Sequence, residues 1–93
     1  MRTIERTTAF KKAFKRTLKQ QHGNKVEGLL REALRYLLID RPLPAKYRDH
    51  QLGGEWKDTR DCHLRPDLVL FYRKVGTDVL QLVDIGSHSD LGI

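Results

Sequence analysis

Apolar residues along the 93-residue chain change their period near its middle. In the first half they recur every three or four positions. Phe10, Phe14 and Leu18 fall at i, i+4 and i+8, with lysines and arginines filling the other face. That spacing predicts an amphipathic helix starting at Thr7 or Thr8. Val26, Leu29, Leu30, Ala33, Leu34, Leu37 and Leu38 form a continuous stripe at the same period and predict a second helix. Gly23 is expected to close the first helix in the left-handed region. Asn24, with Glu27 three residues on, is expected to cap the second. Asp40-Arg41-Pro42 ends it, because proline disfavours helix at the residue before it. So short a connection predicts an antiparallel helix hairpin. Ahead of it, "RTIER" reads as a short edge strand with Ile4 turned inward.

Beyond Pro44 the period shortens. "GGEWKDTRD" and "DLVLFYR" read as strands, the second almost wholly β-branched, aliphatic or aromatic. Gly76 and Thr77 make a turn, and "DVLQLVDI" follows as another strand. Helices followed by strands predict an α+β fold, with the N-terminal helix hairpin packed on a small antiparallel β-sheet. No repeat, low-complexity tract or linker divides the chain, so residues 1–93 are expected to form a single domain with one modest core.

Composition narrows the class. With 39% hydrophobic and 32% charged residues the chain is neither a disordered tail nor a membrane span. The charged N-terminus has no apolar segment of the signal-peptide kind. Cys62 is the lone cysteine, so no internal disulfide can form, and a cytoplasmic location is expected. The net charge of +6 is unevenly spread: residues 1–48 carry 13 Lys/Arg against 4 Asp/Glu, and residues 49–93 carry 5 against 8. A basic front half suits a polyanion or an acidic protein partner, although a solvated helix face has the same composition.

The stretch "RDCHLRPDLVLFYR", Arg60 to Arg73, sets a cluster of ionisable groups against a strand-like run. Four groups in three segments draw attention: His50, His63, Asp67 and His88. Two imidazoles titrating near neutrality can serve as acid and base in one reaction. RNA cleavage through the 2′-hydroxyl needs that pair and a cation for the phosphorane. Taken singly, a loop histidine is ordinarily just a surface residue, and Asp67 after Pro66 is a natural turn former. Cys62 reads as a small filler and Trp56 as a core anchor rather than a base-stacking platform. A zinc site of His50, His63, Asp67 and His88 is the competing chemistry, but the spacing matches no compact zinc motif.

"YRDHQLGGEWKDTRDCHLRPDLVLFYR", Tyr47 to Arg73, followed by "GSHSDL", Gly86 to Leu91, resembles the YafQ-like toxins of the RelE superfamily. The likeness is specific over the C-terminal half, and the N-terminal half agrees in length and helix-hairpin pattern. It implies a compact RelE-like α+β fold and an endoribonuclease that cuts mRNA, typically in the ribosomal A site. It also implies a cognate acidic antitoxin of the DinJ/RelB kind; the acid–base pair itself calls for no cofactor or metal. His50 and His63 would be the acid and base, and Asp67 a proton acceptor or orienter. His88 would contact the scissile phosphate or the leaving group. Three positions depart from the family pattern: Asp84 stands where an arginine is expected, Gly92 where a phenylalanine is, and Leu68 where an aromatic can follow the Pro-Asp pair. Reversing a charge beside a phosphate changes the interaction by several kcal/mol, enough to slow cleavage ~10²-fold. Lys57, Arg60, Arg65 and Arg73 are the candidates to contact RNA and supply the cation instead. The alternative implied by Asp84 and Gly92 is a weakened relative that binds antitoxin or RNA without efficient cleavage.

Overall fold

The computed structural model describes residues 1–20 and 23–93. The order of elements is β1 (Thr3–Arg6), α1 (Thr8–Leu18), α2 (Gly23–Leu37), β2 (His50–Gln51), β3 (Arg60–Arg65), β4 (Leu68–Val75), β5 (Val79–Gly86) and α3 (His88–Leu91). The strands form one sheet in the order β1-β5-β4-β3-β2. Its four C-terminal strands pair antiparallel, as expected. β1 instead runs parallel to β5, because the helix hairpin between them crosses one face of the sheet. The fold is α+β with a mixed sheet. No helix among the described residues is long and apolar enough to cross a membrane.

α1 begins where the sequence indicates. The Thr7 hydroxyl accepts from the Phe10 amide, capping the helix, and donates to the Val83 carbonyl at 2.6 Å. Its inward face is Phe10, Ala13 and Thr17, so Phe14 is only half buried and Leu18 is exposed. In α2 the stripe turns inward as predicted, with Val26, Leu30, Ala33 and Leu37 buried. The expected caps between the helices are corrected. Gly23 is the first residue of α2 and Asn24 lies inside its first turn. A Cβ at Gly23 would come within 2.0 Å of the Leu18 carbonyl oxygen, so glycine permits the close passage of the hairpin. Ile4 is also corrected: β1 is a sheet edge, but the side chain is 40% exposed.

"GGEWK" is not a strand. Gly54–Trp56 forms a 3-10 turn closed by local backbone bonds: the Trp56 amide donates to the Gly53 carbonyl, Lys57 to Gly54 and Thr59 to Trp56. Backbone groups used that way cannot pair with a neighbouring strand. The strand begins at Arg60, so the polar "RDCHLR" is itself in the sheet. Alternation along it sends Cys62 and Leu64 to the helices and Asp61 and His63 to the other side.

The sheet thus has two unlike faces. Toward the helices lie Leu70, Tyr72, Leu80, Leu82 and Ile85, packed on Phe10, Leu30 and Leu37. On the opposite face a smaller cluster of Val69, Phe71 and Val83 is covered by Leu52 and Leu91. Trp56 stands over Phe71 with ring centroids 5.4 Å apart and remains 41% exposed, so it is a lid on this minor cluster rather than a core anchor.

Candidate active site

The second face carries the chemistry. His50 pairs with Asp61, Asp61 with Phe71, and Phe71 with Asp84, so one cross-strand row holds all four. The next row is His63, Val69 and Gly86. A β-bulge sets the end of the first row. Leu82 pairs with Tyr72 and Asp84 with Phe71, leaving Val83 as the extra residue. Leu82 and Ile85 both reach the helix-side core, so Val83 and Asp84 both turn to the opposite face. The bulge therefore aims Asp84 along the surface that carries the histidines.

After β5 the chain folds back at Gly86 into α3. A Cβ at Gly86 would meet the Asp90 Cβ at 2.9 Å, so any larger residue pushes α3 away. Ser87 and Asp90 cap α3 reciprocally. This places His88 against the β3–β4 turn, where Asp67 Oδ1 accepts from both the His88 amide at 3.0 Å and its Nδ1 at 2.7 Å. The His88 ring meets the His63 ring edge-on, with centroids 5.2 Å apart. His50 Nδ1 donates to the Arg48 carbonyl at 2.9 Å and lies 3.1 Å from Asp61 Oδ1. Three segments distant in sequence thus bring His50, His63, Asp67 and His88 to one end of the sheet.

These partners decide the tautomers. A carbonyl only accepts, so His50 carries its proton on Nδ1 and leaves Nε2 free. His88 hydrogen bonds hold the Asp67 carboxyl below the usual carboxylate range. Ionised Asp67 likewise only accepts, which fixes the His88 proton on Nδ1 and frees its Nε2 as well. His63 differs: burial first, opposed by Asp61 and aided by the His88 charge, holds it below 6.5 and keeps the ring neutral. An imidazole biased to the neutral form, beside two whose Nδ1 is committed and whose Nε2 is left to take up or give a proton, is an arrangement for moving protons to and from a bound substrate. Among the described residues, no group of three or more His, Cys, Asp or Glu is arranged to hold a metal ion.

Asp61 was not singled out from sequence. It is 2% exposed, and its Oδ1 has no hydrogen bond among the described residues. Burial pushes its carboxyl up, while the charges of His50, His63 and His88 pull it down. The available signal was its place two residues before His63, on the same strand face. Thr59, equally buried, accepts from Arg73 at 3.3 Å.

The four basic candidates separate. Arg60 lies in register with Tyr72, and its guanidinium makes two 3.2 Å bonds to Asp49, which also accepts from the Tyr72 hydroxyl at 2.5 Å. Arg73 is tied to Thr59, one strand period past Phe71. Lys57 is exposed at the end of the 3-10 turn. A second bulge at Leu64 swings Arg65 toward the helices, into grooves lined by Leu29 and Pro66 and, on one side, by His63. Gly92, where the resemblance leads one to expect a phenylalanine, ends α3 and offers no ring.

Comparison with known proteins agrees over nearly the whole chain. The family described as "Bacterial toxin of type II toxin-antitoxin system, YafQ" matches residues 2–92. The mRNA interferase toxin YafQ of Escherichia coli (strain B / BL21-DE3) is 36% identical over 91 residues, 97% of this chain and 95% of that protein. The putative toxin YafQ of Haemophilus influenzae is 54% identical over 46 residues, which are 50% of this chain and 45% of that one. The match thus spans about half the length of that relative. A chain of the E. coli DinJ–YafQ toxin–antitoxin complex superposes with a TM-score of 0.81 at 34% identity, covering 97% of this chain and 96% of its own.

Proposed function

This chain belongs to the YafQ family of bacterial type II toxin–antitoxin toxins, and we propose that it is an endoribonuclease that cuts mRNA on the ribosome by metal-independent acid–base catalysis. The observation that carries the reading is the convergence of His50, His63 and His88, with Asp67 fixing His88. A base takes the 2′ proton, the 2′ oxygen attacks phosphorus, and an acid protonates the departing 5′ oxygen. Neutral His63 is suited to the first step. With Nδ1 committed, His88 and His50 each turn Nε2 toward the substrate, and in the imidazolium form that second N–H can protonate the leaving 5′ oxygen or bond the phosphate.

The chemistry predicts a 2′,3′-cyclic phosphate and a 5′-hydroxyl. Cleavage on translating ribosomes should persist in EDTA. Loss of cutting on chelation, or a 5′-phosphate product, would count against the histidine mechanism and for a metal.

The partner in this reading is an acidic antitoxin; the E. coli relative is found in a DinJ–YafQ toxin–antitoxin complex. The lysines and arginine of α1 face outward, with Lys11, Lys12, Lys15 and Arg16 exposed. Such a surface steers an acidic segment into contact. A second reading, a binding module that cuts poorly, is favoured by one observation: Asp84 sits on the face of the histidines and presents a carboxylate to an anionic substrate.

A further inference from the structure

Asp84 leaves the site without the cation that a phosphorane requires. Arg60 is committed to Asp49 on the helix-bearing face, and Arg73 is held by Thr59 one strand period away. Arg48 is the exposed cation that adjoins the histidines. It precedes Asp49-His50 and ends the 3-10 turn Ala45–Tyr47 in the left-handed region, at φ 47. A non-glycine residue there is uncommon, and such backbone conformations collect at functional sites. Its carbonyl accepts from His50 Nδ1. Arg48 lines, with His63 and Arg65, a groove of about 450 Å³. Among the described residues no carboxylate pairs with it, whereas Lys46, on the same groove, is held 3.2 Å from Glu32.

We propose that Arg48 is the phosphate-binding cation of this site, gripping a phosphodiester of the RNA strand where the groove passes His63. The inference rests on the ribonuclease reading above. A guanidinium offers paired donors to two phosphate oxygens and stays charged throughout turnover. The strand then enters over His63 with Arg48 on one side and Arg65 deeper in the groove. The Arg48 charge also opposes protonation of His63, after burial and His88, so the group that grips the phosphate helps keep the imidazole beside it neutral. The backbone carries the second link: one residue presents the carbonyl that fixes the His50 tautomer and the guanidinium that meets the substrate.

The test uses Arg48→Asn, since asparagine tolerates the left-handed backbone, together with Arg48→Lys. Both variants and the parent are compared by thermal melting, which should not move. Cleavage on translating ribosomes should fall ~10²-fold in Arg48→Asn, the scale of losing one preorganised donor group, and recover partly in Arg48→Lys. Binding to a 2′-O-methyl oligoribonucleotide, which cannot be cut, should lose about one unit of its log–log salt slope in Arg48→Asn. In an Asp84→Arg background, where a second guanidinium stands on the same face, the Arg48→Asn loss should shrink about tenfold, since groups that act as a unit are non-additive. An unchanged cleavage rate and salt slope in Arg48→Asn, or an equal loss in both backgrounds, overturns the proposal. If the parent cuts no RNA, the ribonuclease reading falls, and the salt slope alone still decides whether Arg48 grips phosphate.

Discussion

The two faces of the sheet are built from the same strands and do opposite work. Toward the helices, Leu70, Tyr72, Leu80, Leu82 and Ile85 are at most 2% exposed, and they pack against two amphipathic helices. On the other face, Val69, Phe71 and Val83 form a patch only large enough to seat Trp56, Leu52 and Leu91. The rest of that face is ionisable: His50, Asp61, His63 and Asp84 in adjoining rows. One face is satisfied by its own packing. The other keeps a buried carboxylate oxygen without a hydrogen bond among the described residues and a histidine held neutral by burial. Unspent interactions of that kind are affordable only because the first face supplies the stability.

Mutation should separate the two faces, and the largest effect belongs to the histidines. His63→Ala should cut the cleavage rate ~10²–10⁴-fold, the range for losing a general base, while leaving the melting temperature nearly unchanged. A large loss of stability would mean that His63 is part of the packing. Next comes the opposite case. Leu70→Ala should destabilise the fold by ~2–5 kcal/mol, as for other buried leucines, with the activity per folded molecule preserved in denaturant-free assays. An activity loss beyond the folded fraction would show that the faces are coupled through β4.

Asp84→Arg should raise cleavage by up to ~10²-fold, since it replaces repulsion with attraction at an effective dielectric near that of a protein surface. No gain would mean that Asp84, although on the right face, lies out of reach of the phosphate. The smallest effect is the pH dependence. His63 is held below 6.5, so the acid limb of kcat/KM should inflect below that value. The unfolded chain takes up this proton first as pH falls. The contribution of His63 to stability is therefore complete above 6.5 and declines between 6.5 and its folded value. His63→Gln should flatten urea-melt stability across that window, and an unaltered slope would assign the titration to another group.

Much of this was legible in the residues alone. The α2 stripe, the apolar run of β4 and the turn at Gly76-Thr77 are local patterns, because a helix or hairpin is decided by side chains close in sequence. The motif residues His50, His63, Asp67 and His88 also stood out as a set, through chemistry and resemblance. Other features depended on distant partners. β1 is parallel because the helix hairpin carries the chain across the sheet before β5 receives it. "GGEWK" has strand-like composition yet turns on its own backbone hydrogen bonds. Asp61 looks like any polar strand residue until β2 brings His50 beside it and burial takes its water away. Asp84 faces the histidines because a bulge at Val83 shifts the alternation by one residue. Arg60 and Arg48 carry the same charge in the sequence, but Asp49 engages one and leaves the other free among the described residues. Sequence by itself determined which elements form and which chemistry the chain carries, since both follow from residue identity and short-range spacing. Only the tertiary structure decided which face each ionisable group occupies and which partner it meets, because those depend on strand register and on burial, properties of the assembled sheet.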